Sequence, residues 1–330
     1  MNGKEVYKYA VTETVKNINE LLDKNQISKN EINYIIPHQS NLKIMKSIAN
    51  RLKIDINKIY TNIENVGNTF CASIPIALPI IAIPTTAGTG TEMDPWTVIT
   101  HETAQEKIGF GCQLTFPTLS IVDPELMVSI PPHLTAYQGF DAFFHAAEGF
   151  IANCATPISD LYALEAIRLI YKYLPVAVAD GKNLKARAKI AWASTLAGMV
   201  EATSSCTSEH SLEHAMSAYY PQLPHGAGLI ALSEAYFETF RHDCTKRYMK
   251  MAEMMTQKKS NRPSDFIDAL ITLQKECKVH SIKLSEFGIQ SEDFPKFLQN
   301  ARDTMGGLFT LDPRPITDEE ILHIFKNSYK

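Results

Sequence analysis

The sequence predicts a short α/β portion holding a partial sheet, followed by an all-α portion that runs to the end of the chain. Three observations carry this reading. Over the first 78 residues helical repeats alternate with short apolar runs, a Gly- and Thr-rich loop follows another apolar run near residue 85, and from about residue 133 nearly every segment spaces its apolar residues at three and four.

The elements follow in order. Residues 5–24 place Val11, Val15, Ile18 and Leu22 on one helical face. The run "SKNE" at 28–31 is a capping box, in which a Ser hydroxyl and a Glu carboxylate satisfy each other's orphan amides. "INYII" then reads as a short buried strand, residues 40–52 as a second helix, and "KIYTNI" as a further strand. After Leu78 the texture changes: "PIIAIP" is an apolar strand leading into "TTAGTGTE", and "TVITH" and "LSIVDP" are two more candidate strands. Helices are then expected at 157–173, 185–202, 208–219, 226–242 and 264–277, with a last one opening at the capping box "TDEE", 317–320. Three segments result: 1–78, 79–132 and 133–330.

Bulk properties narrow the function. The chain has 330 residues, 45% hydrophobic and 21% charged, an ordinary globular balance. A net charge of −4 without any basic stripe argues against a nucleic-acid partner. The longest apolar run, Ile74–Pro84, is broken by prolines and too short to span a bilayer. The opening "MNGKEVYKYAV" has neither the charged head nor the apolar core of a signal peptide, and the six cysteines are scattered with no C-x-x-C pair. Reduced thiols in a cytoplasmic protein are therefore expected.

One constellation stands out. Asp141 and His145 lie four apart in "GFDAFFHAAE", and His210 and His214 repeat that spacing in "SEHSLEHAM", so each pair shares a helix face. His225 follows in "LPHGAG", where the chain enters the next helix. One carboxylate and three imidazoles suit Fe²⁺ or Zn²⁺, which accept mixed nitrogen and oxygen ligands. Four histidines are more than such a site needs, so one is free for chemistry. Spacing alone equally fits polar residues on partly exposed helix faces. Phe140, Phe143, Phe144 and Phe150 read as helix core or, alternatively, as an apolar substrate wall.

"AIPTTAGTGTE", "KIGFG", "IVDPEL", "GFDAFFHAAE", "SEHSLEHAM", "LPHGAG" and the late "DPRPITDEEI" together resemble the iron-containing (group III) alcohol dehydrogenases, from residue 79 to the end. The resemblance implies that Asp141, His145, His210 and His225 are metal ligands for Fe²⁺, with Zn²⁺ as the alternative, and that His214 lies beside them as a proton-relay or substrate-contacting residue. The His214-to-His225 interval is one residue longer than the family's usual one. It further implies that Thr85, Thr86, Thr89 and Lys107 touch NAD or NADP, that the substrate is a small alcohol or aldehyde, and that the chain forms a homodimer. The family's Gly-Gly-Gly-Ser pyrophosphate loop, which would cradle the cofactor with backbone amides, has no counterpart here: the only adjacent glycines are Gly306 and Gly307.

Residues 1–78 carry a second resemblance. "MNGKEVYKYAV", "IPHQSNLKI" and "NVGNTFCASIPIAL" are similar to the C-terminal half of the β-ketoacyl-acyl-carrier-protein synthase III family, which has a thiolase-like fold and serves fatty-acid biosynthesis. The resemblance makes His38 and Asn68 the pair that hydrogen-bonds a thioester carbonyl. The family's cysteine nucleophile belongs to the preceding half, and Cys71 is a small residue inside the Asn motif rather than a substitute. Lys43 stands where an arginine is usual, which argues against an acyl-carrier-protein partner. The expectation is a fusion of two fragments: a metal-dependent NAD(P) oxidoreductase with an impaired cofactor site, the alternatives being a non-catalytic metal-binding helical domain or an acyltransferase without its nucleophile.

Overall fold

The computed structural model describes residues 3–37, 42–61 and 80–329. The chain divides into two compact units, Met1–Ile80 and Ile81–Lys330.

In the first unit helix α1, Gly3–Lys24, packs on α2, Leu42–Leu52. The periodic residues behave as their spacing demands. Val11 and Leu22 are buried, Val15 and Ile18 lie against them, and Met45, Ile48, Ala49 and Leu52 complete the cluster from α2. The "SKNE" box forms as expected, around a single 3₁₀ turn at Lys29–Glu31. Among the described residues the two expected strands come to one parallel bridge between Ile35 and Ile59. Among the described residues no third strand joins this pair, and two short runs alone are marginal in water.

The second unit begins with two small sheets. Strand β1, Ile81–Ala82, pairs in parallel with β4, Leu119–Ser120, while β2, Thr97–His101, and β3, Glu106–Phe110, form an antiparallel hairpin with Thr97 opposite Phe110. "PIIAIP" and "LSIVDP" therefore yield only two paired residues each, and Ile81, Ile83, Leu119 and Ile121 remain exposed. A parallel pair normally sits inside a larger, covered sheet. The partial sheet expected from the sequence is present in this minimal form.

Helices make up the rest: α3 Pro132–Ile151, α4 Pro157–Ala179, α5 Leu184–Thr203, α6 Ser208–Tyr219, α7 His225–Thr239, α8 Thr245–Thr256, α9 Ser264–Glu276, α10 Phe294–Met305 and α11 Asp318–Ser328. Their starts are written in the sequence. Thr156 and Thr317 cap α4 and α11 in capping boxes, Asn183 caps α5, and prolines occupy the first turns of α3 and α4. Helices α3, α4 and α5 pack mutually, and α3 is buried on all sides from Gly139 to Ile151. Phe140, Phe143, Phe144 and Phe150 are core residues, not a wall facing a substrate: Phe143 stacks on Phe266 and Phe144 on Phe237. Arg187, also buried, donates to the carbonyls of Gly181 and Ile130 and to Thr135, pinning α5 to the start of α3.

The loop after β1 shows why it is rich in small residues. Ala87, Gly88 and Gly90 turn inward and Thr85, Thr86 and Thr89 outward. Gly90 adopts a positive φ of 63° and meets Gly198 of α5, where an added Cβ would lie 2.1 Å from the Gly90 carbonyl oxygen. Glu92, two residues on, accepts a hydrogen bond from Thr195 at 2.7 Å. No helix among the described residues is long and apolar enough to cross a membrane. The five described cysteines are free.

Candidate metal centre

Three elements bring the constellation together. Helix α3 carries Asp141 and His145 one turn apart, α6 carries His210 and His214, and α7 opens at His225 directly after Pro224. Asp141, His145, His210 and His214 are all buried, and the His225 side chain is 27% exposed.

The geometry has one focus. The Nε2 atoms of His145, His210 and His225 lie 3.5, 3.7 and 3.4 Å from Asp141 Oδ1. Asp141 Oδ1 and His210 Nε2 are nonetheless buried without a hydrogen-bond partner. Orphaned buried polar atoms are costly, and a divalent cation satisfies this set at once. Burial alone would favour a protonated Asp141, but His145, His210 and His225 outweigh it and hold the carboxyl well below its usual range. The donor set thus fits a hard-to-borderline metal ion.

Behind each of these rings stands a carboxylate. Glu148 Oε1 is 2.5 Å from His210 Nδ1, Glu213 takes the Nδ1 of His225, and Glu201 Oε2 lies 3.7 Å from His145 Nδ1. The Glu148 and Glu213 contacts fix the tautomers of His210 and His225 that leave Nε2 free as a ligand, while His145 Nδ1 has no hydrogen-bond partner. Glu148 is held in turn by the Thr207 amide at 2.8 Å and its hydroxyl at 2.9 Å, in a network reaching Tyr236 and Asp312. Glu201 also accepts from the Cys206 thiol at 3.1 Å, and burial, reinforced by Glu201, pushes that thiol well up, so it stays protonated. Histidine spacing does not single out these three glutamates. A usable signal exists for two of them, because Glu148 and Glu213 each follow a histidine by one helical turn, in "HAAE" and "HSLE".

His214 is set apart from the other three. Its Nδ1 faces Met305 Sδ at 2.7 Å, and its ring lies 5.0 Å from that of His225. Burial and the neighbouring His225 and Lys107 charges hold its pKa well below the ordinary value, so it is neutral at pH 7. Lys107 of β3 reaches α6, donating to Ser217 at 3.0 Å and lying 3.6 Å from Glu213. The hydroxyl-bearing Thr85, Thr86 and Thr89 are exposed on their loop. His38, Asn68 and Cys71 lie outside the described residues.

One carboxylate and three imidazoles gathered between buried helices define a helical domain built around a candidate mixed-ligand metal centre. Comparison with known proteins is specific. Residues 135–329 match the C-terminal domain of the Fe-containing alcohol dehydrogenase family. The chain is 33% identical to alcohol dehydrogenase 4 of Schizosaccharomyces pombe over 76% of its length and 59% of that protein's, and 33% identical to the NAD-dependent methanol dehydrogenase of Bacillus methanolicus, over 76% and 66%. The crystal structure of an alcohol dehydrogenase from an archaeal halo-thermophile of a Red Sea brine pool superposes with a TM-score of 0.73 at 34% identity, covering 76% of this chain and 64% of that one. The chain belongs to the iron-containing alcohol dehydrogenase family. It spans roughly three fifths to two thirds of the length of these relatives. Residues 22–82 match the model of the C-terminal part of 3-oxoacyl-[acyl-carrier-protein] synthase III.

Proposed function

We propose that the second unit is a metal-dependent oxidoreductase domain that interconverts a small alcohol and an aldehyde or ketone with NAD or NADP. The observation that carries this is the approach of three Nε2 atoms to Asp141 Oδ1, each ring backed by a glutamate. Asp141, His145, His210 and His225 would hold Fe²⁺, or alternatively Zn²⁺. When bound, the cation supplies Lewis acidity, drawing charge from a carbonyl or stabilising an alkoxide. The chain's own part is positional. Glu148 and Glu213 keep the imidazoles of His210 and His225 turned to present Nε2, and Glu201 places a carboxylate 3.7 Å from His145. His214, neutral and anchored through Nδ1, keeps its other nitrogen for a proton gained or lost by the substrate hydroxyl. Thr85, Thr86, Thr89 and Lys107 would contact the nicotinamide nucleotide, and the NAD dependence named for the Bacillus methanolicus relative makes NAD the first cofactor to test.

The cofactor half is impaired on this reading. No Gly-Gly-Gly-Ser run precedes residue 79, and the match at residues 22–82 is to a synthase instead. That same observation favours a second reading, a metal-binding helical domain without turnover. Acyl transfer by the first unit is disfavoured because the matched segment offers His38 and Asn68 without the nucleophilic cysteine.

Elemental analysis of anaerobically purified protein, followed by NADH and NADPH titration monitored by fluorescence, separates these readings. About one metal per chain with saturable nucleotide binding is the expected result. One metal without nucleotide binding would select the non-catalytic reading, and absence of any metal would overturn the centre itself.

A further inference from the structure

Glu213 is a fully buried carboxylate beside the candidate centre. It lies on α6 one turn after His210, its side chain is fully buried, and Oε1 has no hydrogen-bond partner. The other oxygen has two basic neighbours. Oε2 takes the Nδ1 of His225 and lies 3.6 Å from Lys107 Nζ. Space for this carboxylate has been made on the facing helix, since a Cβ at Gly228 of α7 would stand 2.7 Å from Glu213 Cγ. A buried carboxylate is retained at a cost unless its partners need it.

His225 is the partner that needs it. Its side chain is 27% exposed, against 7% for His145 and 4% for His210. It also sits at the first residue of α7, at the end of a loop, whereas His145 and His210 are fixed inside helices. A ring so placed has rotamer and tautomer freedom that the other two lack. On the reading that these residues hold a divalent cation, we propose that Glu213 is a positioning residue for the metal centre, clamping the loop-borne ligand His225 through Nδ1 so that Nε2 faces Asp141. Lys107 neutralises the clamp from β3 and does not set the ligand.

The test is a competitive Zn²⁺ titration of the full, metal-stripped chain against a chromophoric chelator, paired with the visible spectrum of the Co²⁺ form. Variants are Glu213→Ala, Glu213→Gln and Lys107→Met, each checked by far-UV circular dichroism. Glu213→Ala is expected to weaken Zn²⁺ binding about 10- to 100-fold and to alter the Co²⁺ bands. Glu213→Gln, which keeps the shape and an acceptor for Nδ1–H but loses the charge, is expected to fall between Ala and the wild type. It also keeps the proposal testable should the alanine variant misfold. Lys107→Met is expected to bind no more weakly than the wild type. Wild-type affinity and an unchanged Co²⁺ spectrum in both Glu213 variants would overturn the proposal, as would an equal loss in Lys107→Met, which would place the effect in the hairpin. Failure of the wild type to take up metal is a different outcome, and would overturn the metal reading on which this one rests.

Discussion

Asp94 keeps one carboxylate oxygen on the Trp96 amide at 2.8 Å and leaves the other buried with no partner. Burial dominates its behaviour. The Trp96 N–H opposes the effect, Glu92 and Asp141 add to it, and the pKa is raised to about 7. The unfolded chain releases this proton near pH 3.8, so the folded state binds it more tightly. The stability this contributes is complete below that pH and is lost as pH rises through about 7. Asp94→Asn retains an acceptor for Trp96 without the ionisable group. At about 1.4 kcal/mol for each tenfold change in proton affinity, and allowing for relaxation, the variant should gain ~2 kcal/mol at pH 8 and nothing at pH 3.5. Urea unfolding of chelator-treated protein at the two pH values measures this, and an equal effect at both would refute it. The same scale separates the histidines. Spacing alone offers His210, His214 and His225 as equals; the family resemblance sets His214 apart, and side-chain direction in the structure sends two toward Asp141 and one toward Met305.

At the scale of elements, the meeting of the Gly-rich loop with α5 is the most constrained contact. Backbone touches backbone at Gly90 and Gly198, so no side chain can move aside to admit a methyl group. Gly198→Ala should therefore push the loop off the helix and cost about 1–3 kcal/mol, despite alanine's better helix propensity. Faster amide exchange confined to residues 85–93, together with a lower Tm, is the expected signature; a stabilised protein would show that the contact can yield. Most helices were legible beforehand because capping residues and apolar spacing are local. Of the strands, "TVITH" was equally legible and forms β2 over its full length, while "INYII" and "LSIVDP" came out far shorter than their apolar runs. "INYII" and "LSIVDP" have the residues of buried strands, but a strand exists only where a partner lies alongside, and the described partners extend to one bridge and two residues.

For the whole molecule, the four candidate ligands, their three glutamates and Lys107 all fall within Ile81–Lys330. A chain starting at Ile81 should consequently keep its helical circular dichroism and the metal stoichiometry of the full chain. Loss of metal on truncation, with helicity intact, would show that the first unit contributes to the centre. The exposed Ile81, Ile83, Leu119 and Ile121 along the short parallel pair make solubility the practical difficulty, because uncovered strand edges associate.

Local and periodic features are readable from the order of the amino acids: the helical character of the chain beyond residue 133, its capping boxes, and the paired i, i+4 spacing that places Asp141 with His145 and His210 with His214. Convergence is not, because it belongs to the packed helices. Whether α3, α6 and α7 aim three Nε2 atoms at one oxygen, and whether a glutamate stands behind each ring, depends on helix packing and rotamers across as many as 83 residues of chain between Asp141 and His225. Side-chain spacing within a helix fixes which residues share a face, but not what that face meets.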